Sequence, residues 1–120
     1  MGMTVREANE ILGLLLRGGV YVSLHGGAPG EEGSNEVEGG GYRRQSPSFT
    51  DPADGAASNL DDIDFELLPE STISHIGLWD RREGGGFRWS SPLDEPMPIR
   101  SRGTFRIVAG DLTIQLRPAP

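Results

Sequence analysis

Apolar residues recur at helical spacing in one convincing stretch of this chain. Between Thr4 and Arg17, the residues Val5, Ala8, Ile11, Leu12, Leu15 and Leu16 form a single stripe, which predicts an amphipathic helix. Thr4 and Glu7 have the spacing of a capping box, in which a hydroxyl meets an orphan N–H and a carboxylate reaches back. Gly18 and Gly19 supply a left-handed stop and a hinge. Glu7 and Glu10 near the start and Arg17 at the end agree with the helix dipole.

After the hinge the period changes to two. Val20, Val22 and Leu24 alternate with Tyr21, Ser23 and His25, as in a half-buried strand. Positions 26–41 read as a long loop with seven glycines and four glutamates, and such length points to function or mobility. Tyr42 to Phe49 resumes an extended pattern, with Pro47 marking an edge or an early end. Thr50 to Asn59 reads as a polar connection. Leu60, Ile63, Phe65 and Leu67 then mark a strand with Asp62, Asp64 and Glu66 on its outer face. Ile73 to Asp80 (ISHIGLWD) is the best core strand. It leads through a charged, glycine-rich turn into Phe87–Ser90, with Phe87 and Trp89 on one face. Asp94 to Pro98 reads as a proline-punctuated crossing. Thr104–Val108 and Leu112–Leu116 close the chain as two strands joined by a tight turn. The expected fold is mainly β: an antiparallel β-sandwich or small barrel of about six to eight short strands with one N-terminal helix. The expected organisation is a helix and hinge over 1–19 and one β-rich domain over 20–120.

Composition narrows the functional classes. The 120 residues include 18 glycines, 9 prolines and no cysteine. Much loop and no disulfide or thiolate chemistry follow. The net charge of −7 has the wrong sign for a surface that neutralises phosphates, so nucleic acid is not an expected partner. No apolar run approaches the roughly 18 residues of a membrane span, and no secretory signal pattern opens the chain. All the lysine-or-arginine positions are arginine.

No catalytic constellation stands out. His25 and His75 lie in strands, outside any metal-binding or H-x-E spacing, and no G-x-S-x-G elbow or phosphate loop is present. A Ser-His-Asp set drawn from distant positions stays possible in principle, since triad members come from anywhere in a chain. The DDIDFE run (61–66) fits a solvated strand face that discourages edge pairing, with an oxygen-ligand cation site as the alternative. The glycine clusters at 39–41 and 84–86 fit turn geometry. No catalytic, metal or cofactor residue is expected.

Charge is segregated instead. The segment 51–70 holds seven carboxylates and no base, while Arg43, Arg44, Arg81 and Arg82 lie elsewhere. Complementary patches suit contact between copies. The expected interface is the helix face of Ile11, Leu12, Leu15 and Leu16, the loop glutamates Glu31, Glu32 and Glu36, and those four arginines.

Several segments together resemble a known family. They are Tyr21–His25 (YVSLH), Pro29-Gly30, Asn35-Glu36-Val37, Gly40, Tyr42, Arg44-Gln45, Gly77–Asp80 (GLWD), Thr104–Ile107 and Ala109–Ile114. Their order and wording are similar to a family of small tailed-bacteriophage structural proteins, usually described as tail-fibre proteins. Gly26-Gly27-Ala28 and Arg43 depart from its pattern. The resemblance implies a non-catalytic virion component, assembled in the bacterial cytoplasm, with no cofactor. It implies other virion proteins, tail or capsid subunits, as partners, and a homo-oligomer on the particle. Tail-fibre association leads. A capsid decoration protein and a carbohydrate-binding module at the tail tip are the alternatives.

Overall fold

The structure, a computed structural model, describes residues 3–116. Among the described residues, one helix, α1 (Val5–Arg17), is followed by seven strands. These are β1 (Tyr21–His25), β2 (Ala56–Ser58), β3 (Ile63–Leu68), β4 (Ser71–Trp79), β5 (Phe87–Ile99), β6 (Gly103–Ile107) and β7 (Thr113–Gln115). They form antiparallel sheets in the orders β1-β4-β5, β2-β7 and β3-β6. The mainly β expectation holds, and no barrel closes among the described residues. The chain divides into two compact units. Unit 1 comprises Met1–Gly19, Pro47–Ile63 and Ile107–Pro120, and unit 2 comprises Val20–Ser46 and Asp64–Arg106.

In unit 1, Thr4 caps α1 by accepting the Glu7 N–H at 3.1 Å. Gly19 takes the left-handed stop at φ +86. Ala8 and Leu12 are fully buried, and the Asn9 side-chain Oδ1 accepts the Gly55 N–H at 2.8 Å, so the helix is tied within this unit. Replacing Thr4 by alanine frees an orphan N–H and is expected to cost about 1 kcal/mol, read as a lower urea midpoint at unchanged slope. Asn59, 2% exposed, donates to the carbonyls of Asp61 and Val108 and accepts the Leu112 N–H. One buried amide thus replaces a ladder where the chain is irregular. The strand β2, pairing with β7 from Ala56–Gln115 to Ser58–Thr113, lies inside the expected polar connection. Its Ala-Ala-Ser sequence carries neither alternation nor β-branched residues.

In unit 2, β4 is central, with β1 paired from Tyr21–Trp79 to His25–His75 and β5 on its other side. Three departures from the sequence reading have local causes. The stretch 94–98 continues β5 and is no crossing. Pro92, Pro96 and Pro98 are accommodated because β5 is an edge strand, where a missing N–H breaks no inner ladder. The register also slips there, leaving Ser74 opposite residues 93–96. In β3, Leu67 has φ +53 and is 54% exposed while Leu68 is fully buried, so the alternation breaks one residue before the strand ends. Tyr42–Phe49 forms no strand. It makes only single bridges, Gln45 to Val22 and Phe49 to Asn59, and Pro47 between them has no N–H with which to extend a ladder.

Candidate structural site: a buried arginine clamp

The site is built where the long loop returns to the sheet of unit 2. The loop closes on itself through Gly26 N–H to Asn35 O, Ser34 N–H to Pro29 O, and the Asn35 amide to Ala28 O. It then runs beside β1, with Val37 N–H donating to Leu24 O at 2.9 Å and Val22 exchanging bonds with Gln45. The free edge of β1 is thereby covered.

Arg44 is the centre. It is 6% exposed. Its Nε and Nη2 donate to Glu36 Oε2 and Oε1 at 2.9 and 2.8 Å. Its Nη1 donates to the carbonyls of Arg81 and Gly84, both at 2.8 Å. The guanidinium lies 3.8 Å from the centroid of the Trp79 ring. The planar fork, the carbonyl pair and the stacking use features that only arginine combines. The Tyr42 hydroxyl donates to Glu36 Oε2 at 2.6 Å and accepts the Leu24 N–H at 3.2 Å. Arg44 and Tyr42, meeting on Glu36, thus together join the loop, β1 and the tip of the β4–β5 hairpin.

A second buried relay starts from the same tryptophan. Trp79 Nε1 donates to Ser23 Oγ at 2.9 Å, Ser23 lies 2.6 Å from His25 Nε2, and His25 Nδ1 lies 2.8 Å from the Ser34 carbonyl. A carbonyl only accepts, so His25 carries its proton on Nδ1 and accepts a hydrogen bond from the Ser23 hydroxyl at Nε2. The pair is a serine and a histidine within reach of one another, yet both are fully buried and the partner of Nδ1 is a peptide carbonyl instead of a carboxylate. Every donor and acceptor is engaged in holding the loop.

The titratable groups are tuned accordingly. Burial, outweighing the Ser34 hydrogen bond and Glu36, holds the His25 pKa below its usual 6.5. Burial pulls the Glu36 carboxyl up, but Arg44 and Tyr42 together hold it below its usual 4.5. Burial, then the bond to Glu36, pushes the Tyr42 hydroxyl far above its ordinary range. Both depressed values mean that the unfolded chain binds protons more readily than the folded one, so stability falls with acid. The His25 contribution is complete above pH 6.5 and declines as pH drops toward the folded value. The Glu36 contribution declines below 4.5. Urea midpoints from pH 8 to 4 are expected to fall in that order, with the first decline missing from His25→Gln. A wild-type midpoint that is flat between pH 7.5 and 5.5 would contradict the buried neutral histidine.

The structure separates the sequence-expected interface residues. Glu36 and Arg44 bind one another inside the clamp. Arg43, Arg81, Arg82, Glu31 and Glu32 are exposed, with the Arg82 guanidinium 5.5 Å from the Tyr21 ring centroid. Leu12 is buried, Leu15 and Leu16 are half-buried, and Ile11 is 43% exposed. Ser23, Tyr42 and Trp79 belong to the site but not to the sequence-expected set. Their spacing carries no signal, because their partners lie far away in sequence. Of the acidic run, Asp62 accepts the Ala109 N–H and Asp64 pairs with Arg106 at 2.6 Å. Among the described residues, no group of three or more His, Asp or Glu side chains is placed to hold a metal ion. Among the described residues, no helix is long and apolar enough to cross a membrane.

Above the clamp lies an open groove of about 650 Å³, walled by residues 36–44 and 82–84. Arg43, Arg82, Glu38 and Glu83 stand on its rim.

The residues of the clamp are those that carried the resemblance. Gly40 packs so that an added Cβ would lie 2.7 Å from the Leu67 carbonyl, and at Gly77 it would meet Phe87 at 2.5 Å and Ser23 Oγ at 2.7 Å. Asp80 accepts the Gly86 N–H and an Arg88 bond, which hold its carboxyl below the usual range. A comparison with curated proteins returns no significant match. A family model described as "Podophage GP4 fiber I protein gp80" matches residues 3–115, nearly the whole chain. The chain therefore belongs to this podophage fibre family, Gp80.

Proposed function

We propose that the chain is a non-catalytic fibre subunit of a podophage virion that docks on other virion proteins, assembled into the particle within the infected cell. One observation carries the reading. The polar residues that mark the family, Glu36, Tyr42, Arg44 and Trp79, are engaged inside the fold, where they fix a loop and a hairpin. A rigid scaffold with an ionic groove on its surface suits repeated attachment, in which individually weak contacts gain from multiplicity. Docking through the rim of that groove, Arg43 and Arg82 above all, follows from their exposure and from the charge complementarity an acidic partner would offer.

The test is incorporation. Virions produced with Arg43→Glu/Arg82→Glu in place of the wild-type chain are expected to lose most of this protein, measured by quantitative mass spectrometry of purified particles. The variant itself should remain soluble and folded by circular dichroism. Full incorporation would remove the rim from the docking surface. A wild-type chain absent from purified particles would end the reading altogether. Immunolabelling of the same particles separates tail from capsid, and a count of a few copies against hundreds does so independently.

A further inference from the structure

The large apolar side chains left exposed are unevenly divided. Val5, Ile11, Leu14, Leu60 and Val108 lie in unit 1, against Leu67 and Met97 in unit 2. Contiguous exposed apolar surface on a small unit marks a contact site. On α1 the inward residues Ala8 and Leu12 are buried within the unit. A second stripe, Glu7, Ile11, Leu14 and Gly18, runs along another face at i, i+4, i+7 and i+11, and all four residues are exposed. Leu14 is 67% exposed and Ile11 43%. One turn of helix separates them, so they form a single ridge.

We propose that this stripe is a self-docking surface through which two copies of the chain pack by antiparallel contact of α1 about a two-fold axis. Its ends give the direction. Glu7 is acidic at one end, and Arg17 beside Gly18 is basic at the other. Neither makes an ion pair among the described residues. In a parallel pair Glu7 would face Glu7 and Arg17 would face Arg17. In an antiparallel pair each Glu7 meets Arg17 of the other copy, and the helix dipoles oppose favourably. Ile11 then packs on Leu14 of the other copy, and the reverse, as a two-fold contact requires. Gly18 has nothing within 4 Å of an added Cβ, so its bare backbone lets the facing Glu7 approach. Exposed ion pairs contribute little affinity themselves. The leucine and isoleucine supply the attraction, and the charges choose the orientation.

So small an interface belongs to the weak class, and association is read over roughly 10–500 µM chain. Sedimentation equilibrium of the purified wild-type chain is expected to show a monomer–dimer equilibrium in that range. Leu14→Asp, at a position too exposed to harm the fold, is expected to be monomeric throughout, with an unchanged thermal midpoint. The chain has no cysteine, so introduced ones report geometry directly. Glu7→Cys mixed with Gly18→Cys should form a disulfide heterodimer under mild oxidation, while neither variant should cross-link alone. A wild-type chain that stays monomeric, a Leu14→Asp chain that still dimerises, or Glu7→Cys cross-linking to itself would each overturn the proposal. The proposal does not depend on the particle. A monomeric chain that enters virions defeats this inference alone, and a dimeric chain absent from virions defeats the functional reading alone.

Discussion

Arg44→Met is expected to destabilise the protein by about 3–5 kcal/mol, the cost of breaking a buried ion pair by removing one partner. The lower end applies, because the Glu36 side chain keeps 19% of its surface exposed and some water can reach the stranded carboxylate. The loss has three parts: Glu36 without its fork, the Arg81 and Gly84 carbonyls without a donor, and Trp79 without its cation. Arg44→Lys should restore little, since one ammonium cannot serve a carboxylate in bidentate fashion, two carbonyls and a ring at once. Combining Arg44→Met with Glu36→Gln removes the uncompensated charge while leaving Tyr42 an acceptor. The double variant is therefore expected to be more stable than the sum of the singles by roughly 2 kcal/mol. Urea denaturation of the four proteins at pH 7.5 measures this. A cost below about 1 kcal/mol for Arg44→Met would mean a clamp that contributes no more than an exposed pair.

Gly33→Ala is the second large effect, expected at about 2–4 kcal/mol from overpacking together with left-handed strain. Gly33 is buried at φ +77, and an added Cβ would lie 2.3 Å from Trp79 and 2.9 Å from Phe87. The two rings pack edge to face with centroids 5.0 Å apart, so neither can retreat without opening the cluster. Gly19→Ala is the control. Its φ is +86 but nothing lies within 4 Å of an added Cβ, so strain alone acts and about 1 kcal/mol is expected. Thermal or urea midpoints of the two variants separate the terms. Equal losses would show that the loop does not press on the tryptophan.

Both predictions concern a segment whose sequence suggests something else. Seven glycines and four glutamates within 26–41 read as a mobile or functional loop, yet Gly33 and Ser34 cover His25, Trp79 and Phe87. Glycine is there because aromatic rings leave no room for a side chain, which composition cannot reveal. Arg44 reads as one of a surface pair with Arg43. The two are adjacent and chemically identical, and only the fold buries one and exposes the other. The helix face differs in the same manner: Leu12 belongs to the interior, and Leu14, outside the apolar stripe, is the most exposed of the described large apolar residues.

Some features were fixed by short-range chemistry and could be read without coordinates. The cap at Thr4, the stop at Gly19, the alternation of β7 and the core character of β4 all depend on neighbours within a few residues, where periodicity and φ preference act directly. The mainly β architecture followed from them. The strand β1, expected to be half-buried, is instead buried on both faces from Val22 to His25, because the loop covers Ser23 and His25. Tertiary structure alone decided that Ala56–Ser58 is a strand, that three prolines sit on an edge, that Leu67 turns outward, and that Glu36, Arg44, Trp79, Ser23 and His25 form one buried network. Hydrophobic period tells which way a side chain faces, not which distant group it meets. A polar residue's role here is set by partners up to 56 positions away, and only the folded chain brings those partners together.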